Sequence, residues 1–335
     1  MSVHNSSSSA LTAPSLRAVL ACVMLSGLLA LLPIQSRAAL PDSVSEGDII
    51  TLPLRVLIPT QPSVSYDQIY YKLGRFERDR HKNFDEICEN NGARAVSTIH
   101  RQSELNDLSS FECAEAPGSR PNEMKTIVIG PDNKPYLTDG HHTFNVFWHM
   151  PGGGPELNVF VRVDGDYRDA ASMDAFWQQM KADGNVWLRD DHGNEITVEQ
   201  LPPSLGMSHF NNDPYRGLMY FSRGVSWQKP ERLTNPDTGE RYAAIPFLEF
   251  YWTQEIRQHV DVNDFDLTQR RGYNAAIRKV SDVILGLDSD HIIGDSGRTA
   301  RHMGQFGRFN SAELERLNRP DRGKLSYMLM YKSAL

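Results

Sequence analysis

Tyr136-Leu137-Thr138-Asp139-Gly140-His141-His142-Thr143-Phe144 reads as the end of a strand, a glycine turn and the first residues of a helix. Upstream, Thr126-Ile127-Val128-Ile129-Gly130 is a β-branched run closed by the tight-turn cluster Pro131-Asp132-Asn133-Lys134. Downstream, Phe144, Phe147 and Trp148 recur at i, i+3 and i+4, the spacing of an amphipathic helix. Asp139, His141 and His142 therefore converge on a helix start, where backbone N–H groups lack intrahelical partners. Such a place favours an anion, and two imidazoles beside a carboxylate can perform acid–base or metal chemistry. The plainer alternative is a polar cap or a buried hydrogen-bonding pair.

Working outward, the N-terminus reads as a cleaved secretory signal over residues 1–38. Arg17 precedes a charge-free run from Ala18 to Leu32, and Ser36-Arg37-Ala38 supplies the small residues a signal peptidase reads. A span of about 15 apolar residues falls short of the roughly 20 that cross a bilayer, so no stable membrane insertion is expected after cleavage. Loss of Arg17 and Arg37 would take the formal charge from −7 to −9. An acidic chain is a poor general binder of duplex DNA, because phosphate neutralisation supplies most of that affinity. A local basic groove remains compatible with it.

Cleavage would also remove Cys22 and leave Cys88 and Cys113. An even count in an exported protein points to a disulfide, and the polar stretch from Glu89 to Glu112 suits a stapled surface loop.

The rest divides in two. A compact α+β unit is expected over 45–165, and a loop-rich, mostly helical region over 166–335. In the first, Ile49 to Ile58 gives two short strands, broken by Pro59-Thr60-Gln61-Pro62-Ser63. One helix should then run from Tyr66 to about Phe84, with Ile69, Leu73 and Phe76 on one face. Pro151-Gly152-Gly153-Gly154-Pro155 should stop the helix after the double histidine, and Asn158 to Val163 should form another strand. In the second, helices are expected at Ser172–Ala182, Phe247–Val260 and Thr268–Leu287. The stretch from Asp190 to about Arg241 reads as loop, with turn clusters that include Asn211-Asn212-Asp213-Pro214 and Asn235-Pro236-Asp237.

With that order laid out, the first half resembles the ParB/sulfiredoxin superfamily. Sulfiredoxins carry a Pro-Leu-x-Val-Leu-Ile strand followed by Pro-Ser-Val, matched by Pro53 to Ile58 and Pro62-Ser63-Val64. They also have a glycine-containing turn with a histidine before a helix, matched by Asp139-Gly140-His141-His142. The Pro59-Thr60-Gln61 and Asp-Gly-His-His pair looks most like the secreted ParB-like nuclease group. Leu201-Pro202-Pro203-Ser204-Leu205 and Asp213-Pro214-Tyr215-Arg216 fit that group too. The resemblance covers roughly Ile50 to Val163 and extends loosely to about Trp227.

What this implies is bounded by the substitutions. His141 stands where the sulfiredoxin cysteine would be, His142 matches its histidine, and Thr143 replaces its arginine. Sulfinate repair is therefore excluded, and a bidentate phosphate donor is missing. No basic recognition helix of the chromosome-partition type is evident.

The leading expectation is an exported, periplasmic or secreted, phosphodiester hydrolase of nuclease type, acting on nucleic acid or a small phosphorylated ligand. His142 or His141 would activate water or protonate the leaving oxygen, with Asp139 tuning an imidazole. Gly140 would allow close backbone approach, Thr143 would lie at the phosphate, and Thr60 and Gln61 would line the opposite wall. Lys72 and Arg75, three apart on the first helix, are the candidate phosphate clamps, although a solvated charged face gives the same pattern. Asp139, His141 and His142 are also a candidate ligand set for a divalent metal ion. The rival class is a non-catalytic module of the cell envelope that binds a nucleotide or phosphorylated ligand. Phosphotransfer ranks last.

Overall fold

The computed structural model describes residues 39–234, 239 and 244–335. The leader expected at 1–38 and the Asn235-Pro236-Asp237 turn lie outside the described residues. In chain order, β1 (Ile49–Pro53) passes through a 3₁₀ turn at Leu54–Val56 into β2 (Ile58–Pro59) and β3 (Ser63–Val64). Helices α1 (Tyr66–Arg78) and α2 (Arg80–Asn90) follow, then β4 (Val96–Ile99) and β5 (Phe111–Cys113). The hairpin of β6 (Thr126–Ile129) and β7 (Pro135–Leu137) leads into α3 (His141–His149) and β8 (Asn158–Asp166). After α4 (Met173–Ala182) and the short β9 (Asn211–Asn212), the remainder is helical. It comprises α5 (Pro214–Ser222), α6 (Leu248–Arg257), α7 (Arg270–Gly286), α8 (Ser311–Leu317) and α9 (Lys324–Lys332). The fold class is thus α+β, as the sequence implies.

One mixed sheet, in the order β1-β8-β6-β7-β2, carries the first half. β1 and β8 run antiparallel with Leu52 opposite Val159, and β2 lies parallel to β7 with Ile58 opposite Tyr136. That last pairing sets Thr60 beside the double-histidine turn. Ile127, Ile129, Leu137, Val159, Val161 and Val163 leave the sheet for a core shared with Phe144 and Phe147 of α3 and Ile69, Leu73 and Phe76 of α1. A second core, around Trp227, Trp252 and Tyr273, unites α5, α6, α7 and α9 and takes Tyr71 from α1. α1 therefore has one face in each core.

Helix α9 docks along α1. At Gly74 the two come so close that a Cβ would stand 2.5 Å from the Tyr327 carbonyl oxygen. The contact is fastened by Lys332 Nζ to Asp67 Oδ1 at 2.8 Å, and Asp67 also accepts from the Tyr273 hydroxyl at 3.1 Å. The result plants the start of α9 near the middle of α1.

Two local expectations needed correction. The single helix expected to reach Phe84 is two helices, because Asp79 takes an extended conformation and its side chain caps α2 by accepting from the His81 N–H at 3.1 Å. The stretch read as loop between Asp190 and Arg241 contains α5. Asp213 caps that helix by accepting from the Arg216 N–H at 3.1 Å, with Pro214 in its first turn. Asp followed by Pro is a helix-start signal as much as a turn signal.

Cys88 and Cys113 are disulfide-bonded, joining α2 to β5 across a Cα–Cα distance of 5.6 Å. Closing a loop of 25 residues stabilises by about 3 kcal/mol in the chain-entropy model. A Cys88→Ser/Cys113→Ser variant should lose that amount in a urea titration; an unchanged midpoint would show that the bridge adds nothing. No helix among the described residues is long and apolar enough to cross a membrane.

Candidate functional site

The turn before α3 is built as the sequence indicates, and its side chains point to unexpected partners. Gly140 sits at φ +108°, a conformation glycine adopts without strain, and a Cβ there would meet the Lys125 side chain at 2.9 Å. The close approach that glycine permits is thus made by the stem of Lys125. Gly140 offers no capping side chain, so the N–H groups of His141, His142 and Thr143 have no acceptor among the described residues.

Both imidazoles accept from backbone. The Thr60 N–H donates to His141 Nε2 at 3.0 Å, and the Ser65 N–H donates to His142 Nε2 at 2.9 Å. A ring nitrogen that accepts such a bond carries no proton, so each neutral ring holds its hydrogen on Nδ1. Burial pulls the His141 imidazole down to about 3. Burial also pulls His142 well below its ordinary value, helped by the nearby Arg216 guanidinium. His141 is buried and serves as a latch between α3 and β2. His142 is half-buried, and its Nδ1 has no partner among the described residues. The double histidine thus divides into a structural member and an available N–H donor.

Asp139 makes no hydrogen bond to either imidazole among the described residues, and its charge only partly offsets the burial that lowers His141. It lies exposed and pairs with Lys125 Nζ at 2.9 Å, because Lys125, the residue before β6, packs against the glycine turn. Enclosure raises its carboxyl pKa, but the Lys125 and Lys229 ammoniums outweigh that and hold it below the ordinary range. Thr60 and Gln61 are buried rather than lining a cleft. The Thr60 hydroxyl donates to the Leu137 carbonyl at 2.6 Å, and Gln61 Nε2 donates to the Ser63 carbonyl at 2.7 Å. Thr143 is half-buried at the helix start. Lys72 is half-buried and bonded to both Glu86 carboxylate oxygens at 2.6 Å. Arg75, one turn on, is half-buried with no ion pair among the described residues. Among the described residues no group of three or more His, Cys, Asp or Glu side chains is placed to hold a metal ion.

What surrounds His142 instead is cationic, and much of it comes from α5. Arg216 is buried, donates through Nη1 to Gln68 Oε1 at 3.1 Å, and keeps its Nε without a partner. Its Nη2 lies 3.5 Å from Glu249 Oε1, and Arg223 Nη1 lies 3.6 Å from the same oxygen. One carboxylate oxygen thus serves two guanidiniums. Burial raises the Glu249 pKa, but Arg216, Lys229 and Arg223 together drive it far below the carboxylate range. The charges that act on His142 are thus Arg216 and Lys125 against Glu249; Arg223 and Lys229 lie beside Glu249, with Lys229 also 3.7 Å from Glu231, and Asp213 acts on Arg216. Sequence reasoning missed this ring. The available signal was Arg216, Tyr220 and Arg223 at i, i+4 and i+7 after the Asp213-Pro214 start.

A family model described as "Putative ParB-like nuclease" matches residues 50–258. The chain belongs to this family. The match runs from the edge strand β1 to the end of α6, so it contains the double-histidine turn, Arg216, Arg223, Lys229 and Glu249. Lys324 falls outside it. No curated protein matches the chain. Among solved structures, this ParB-like nuclease family member is similar to the crystal structure of protein Atu1540 from Agrobacterium tumefaciens. The two share 16% identity over 74% of this chain and 96% of that one, with a TM-score of 0.48.

Proposed function

We propose that the protein is an exported phosphodiester hydrolase of nuclease type whose substrate phosphate sits at the start of α3. The observation that carries this is the pair of cations, Arg216 and Lys125, that acts on His142 against the single carboxylate Glu249, next to helix-start N–H groups that lack acceptors among the described residues. A phosphate diester satisfies both. Arg216 and Lys125 hold its non-bridging oxygens, and the His142 Nδ1–H donates to the oxygen that gains charge as water attacks phosphorus. In that step a P–O bond to water forms and the ester P–O bond breaks. The departing alkoxide gains a proton while the attacking water loses one. Family membership supports the nuclease reading, and the Cys88–Cys113 disulfide supports an oxidising compartment.

The test is turnover of single-stranded DNA, RNA and bis-nitrophenyl phosphate by the purified protein. Each substrate is offered with Mg²⁺, Mn²⁺ or Zn²⁺ and with chelator. Cleavage is the expected result, and the chelator lanes decide whether a divalent ion takes part. A second reading, binding without turnover, is favoured by one observation. Both histidine Nε2 atoms are committed to backbone donors, which leaves neither ring an open basic nitrogen. Tight binding with no cleavage under any condition would select it.

A further inference from the structure

Through Arg223, which shares Glu249 with Arg216, the His142 site connects to a cluster in which three cations interleave with two tyrosine rings. Lys72 Nζ lies 5.8 Å from the Tyr71 ring centroid, and Lys324 Nζ lies 5.8 Å from Tyr71 and 4.9 Å from Tyr220. The Arg223 guanidinium lies 4.8 Å from Tyr220. The two outer cations have carboxylates, Glu86 for Lys72 and Glu249 for Arg223. Lys324, in the middle, has no hydrogen bond or ion pair among the described residues, although it is half-buried. Its position is locally unfavourable. It is the first residue of α9, where the helix dipole disfavours a cation, and Gly323 before it offers no capping side chain. Burial, with Arg223 and Lys72 adding to it and Glu313 opposing it, lowers the Lys324 ammonium to about 8, so at neutral pH it stays largely charged. Glu313, the carboxylate whose charge acts on Lys324, is already held by Arg316 at 2.6 Å, and a half-buried cation left so weakly balanced at a disfavoured site leaves room for an anion.

The geometry points to a second phosphate subsite, in which Lys324, set between Tyr71 and Tyr220, binds the phosphate next to the one at His142. The substrate class that follows is a nucleic-acid strand, or a nucleotide with at least two phosphates. A lone diester would leave Lys324 unused. This inference rests on the reading of the α3 start at His142 as a phosphate site. It adds that a segment outside the family-matched residues contributes to recognition, brought there by the close packing of α9 on α1 at Gly74.

The test is calorimetric binding, in chelator, of a thymidine dinucleotide with and without a 5′-phosphate. The wild-type chain should bind the phosphorylated form about tenfold tighter, the gain typical of one charge-assisted contact. Lys324→Met should bind both forms alike, and Lys324→Arg should retain the preference. The methionine variant should also melt at a higher temperature, whereas a lysine with a merely structural role would lower it on replacement. A preference that survives in Lys324→Met, or is absent from the wild type, overturns the proposal. Because the readout is binding, a protein that shows the preference but cleaves nothing sinks the hydrolase reading and leaves this one standing.

Discussion

Glutamine at His142 is expected to slow cleavage of a single-stranded oligonucleotide by about 10²-fold, the usual cost of removing one preorganised donor. The choice of residue matters. A glutamine side-chain oxygen can still accept from the Ser65 N–H, as His142 Nε2 does at 2.9 Å, so α3 stays tied to the start of α1. What disappears is the Nδ1–H aimed at the substrate. His141 should behave differently although it is the adjacent residue. His141→Ala removes a buried ring and leaves the Thr60 N–H without its acceptor, and about 3 kcal/mol of stability should go with it. Urea titration of His141→Ala beside steady-state turnover of His142→Gln separates the two roles. Equal turnover by His142→Gln and wild type would remove that residue from the chemistry.

Acid should unfold this protein from the histidine range downward. The folded state keeps His141 neutral to about pH 3, whereas an unfolded imidazole takes its proton near 6.5. Its contribution is therefore complete above pH 6.5, because below that only the unfolded state gains the proton. Each pH unit lost between 6.5 and 3 costs about 1.4 kcal/mol, or about 3 kcal/mol by pH 4 from His141 alone. His142 is shifted the same way and adds to the loss. Below about pH 4.5 the carboxylates with depressed pKa values, Glu249, Asp85 and Asp139, join in as they take up protons. Asp213, whose carboxyl is raised by burial, works against the trend. Unfolding midpoints measured from pH 7 to pH 4 should fall steadily, starting near pH 6. A flat profile between pH 7 and pH 5 would mean that the two rings are not held neutral in the folded protein.

How much of this could be read from the chain depends on distance along it. The glycine turn, the strands on either side of it, the disulfide and the α7 stripe from Tyr273 to Ile284 all rest on local spacing, and local spacing is legible. The break at Asp79 was not, since Asp79 must choose between ending α1 and starting α2, and both outcomes suit the apolar pattern from Ile69 to Phe84. At the site, the helix start and its two histidines were legible, but their partners were not. Thr60 and Ser65 reach the rings only because β2 pairs with β7 and α1 begins beside the turn. Helical spacing marks Lys72 as a candidate phosphate clamp, yet Glu86, fourteen residues on, takes its ammonium once α2 folds back. Arg216, Glu249 and Lys324 come from three helices far apart in sequence. Each one alone looks like an ordinary surface charge.

The central claim is that the start of α3 at His142, with Arg216 and Lys125, binds a phosphodiester and cleaves it. The most direct measurement is single-turnover cleavage of an end-labelled single-stranded oligonucleotide by wild type and His142→Gln side by side, with binding followed in the same samples. The account predicts that both proteins bind the strand and that the wild type cuts it about 10²-fold faster. Equal cutting by the two proteins, or tight binding by a wild type that never cuts, would contradict it.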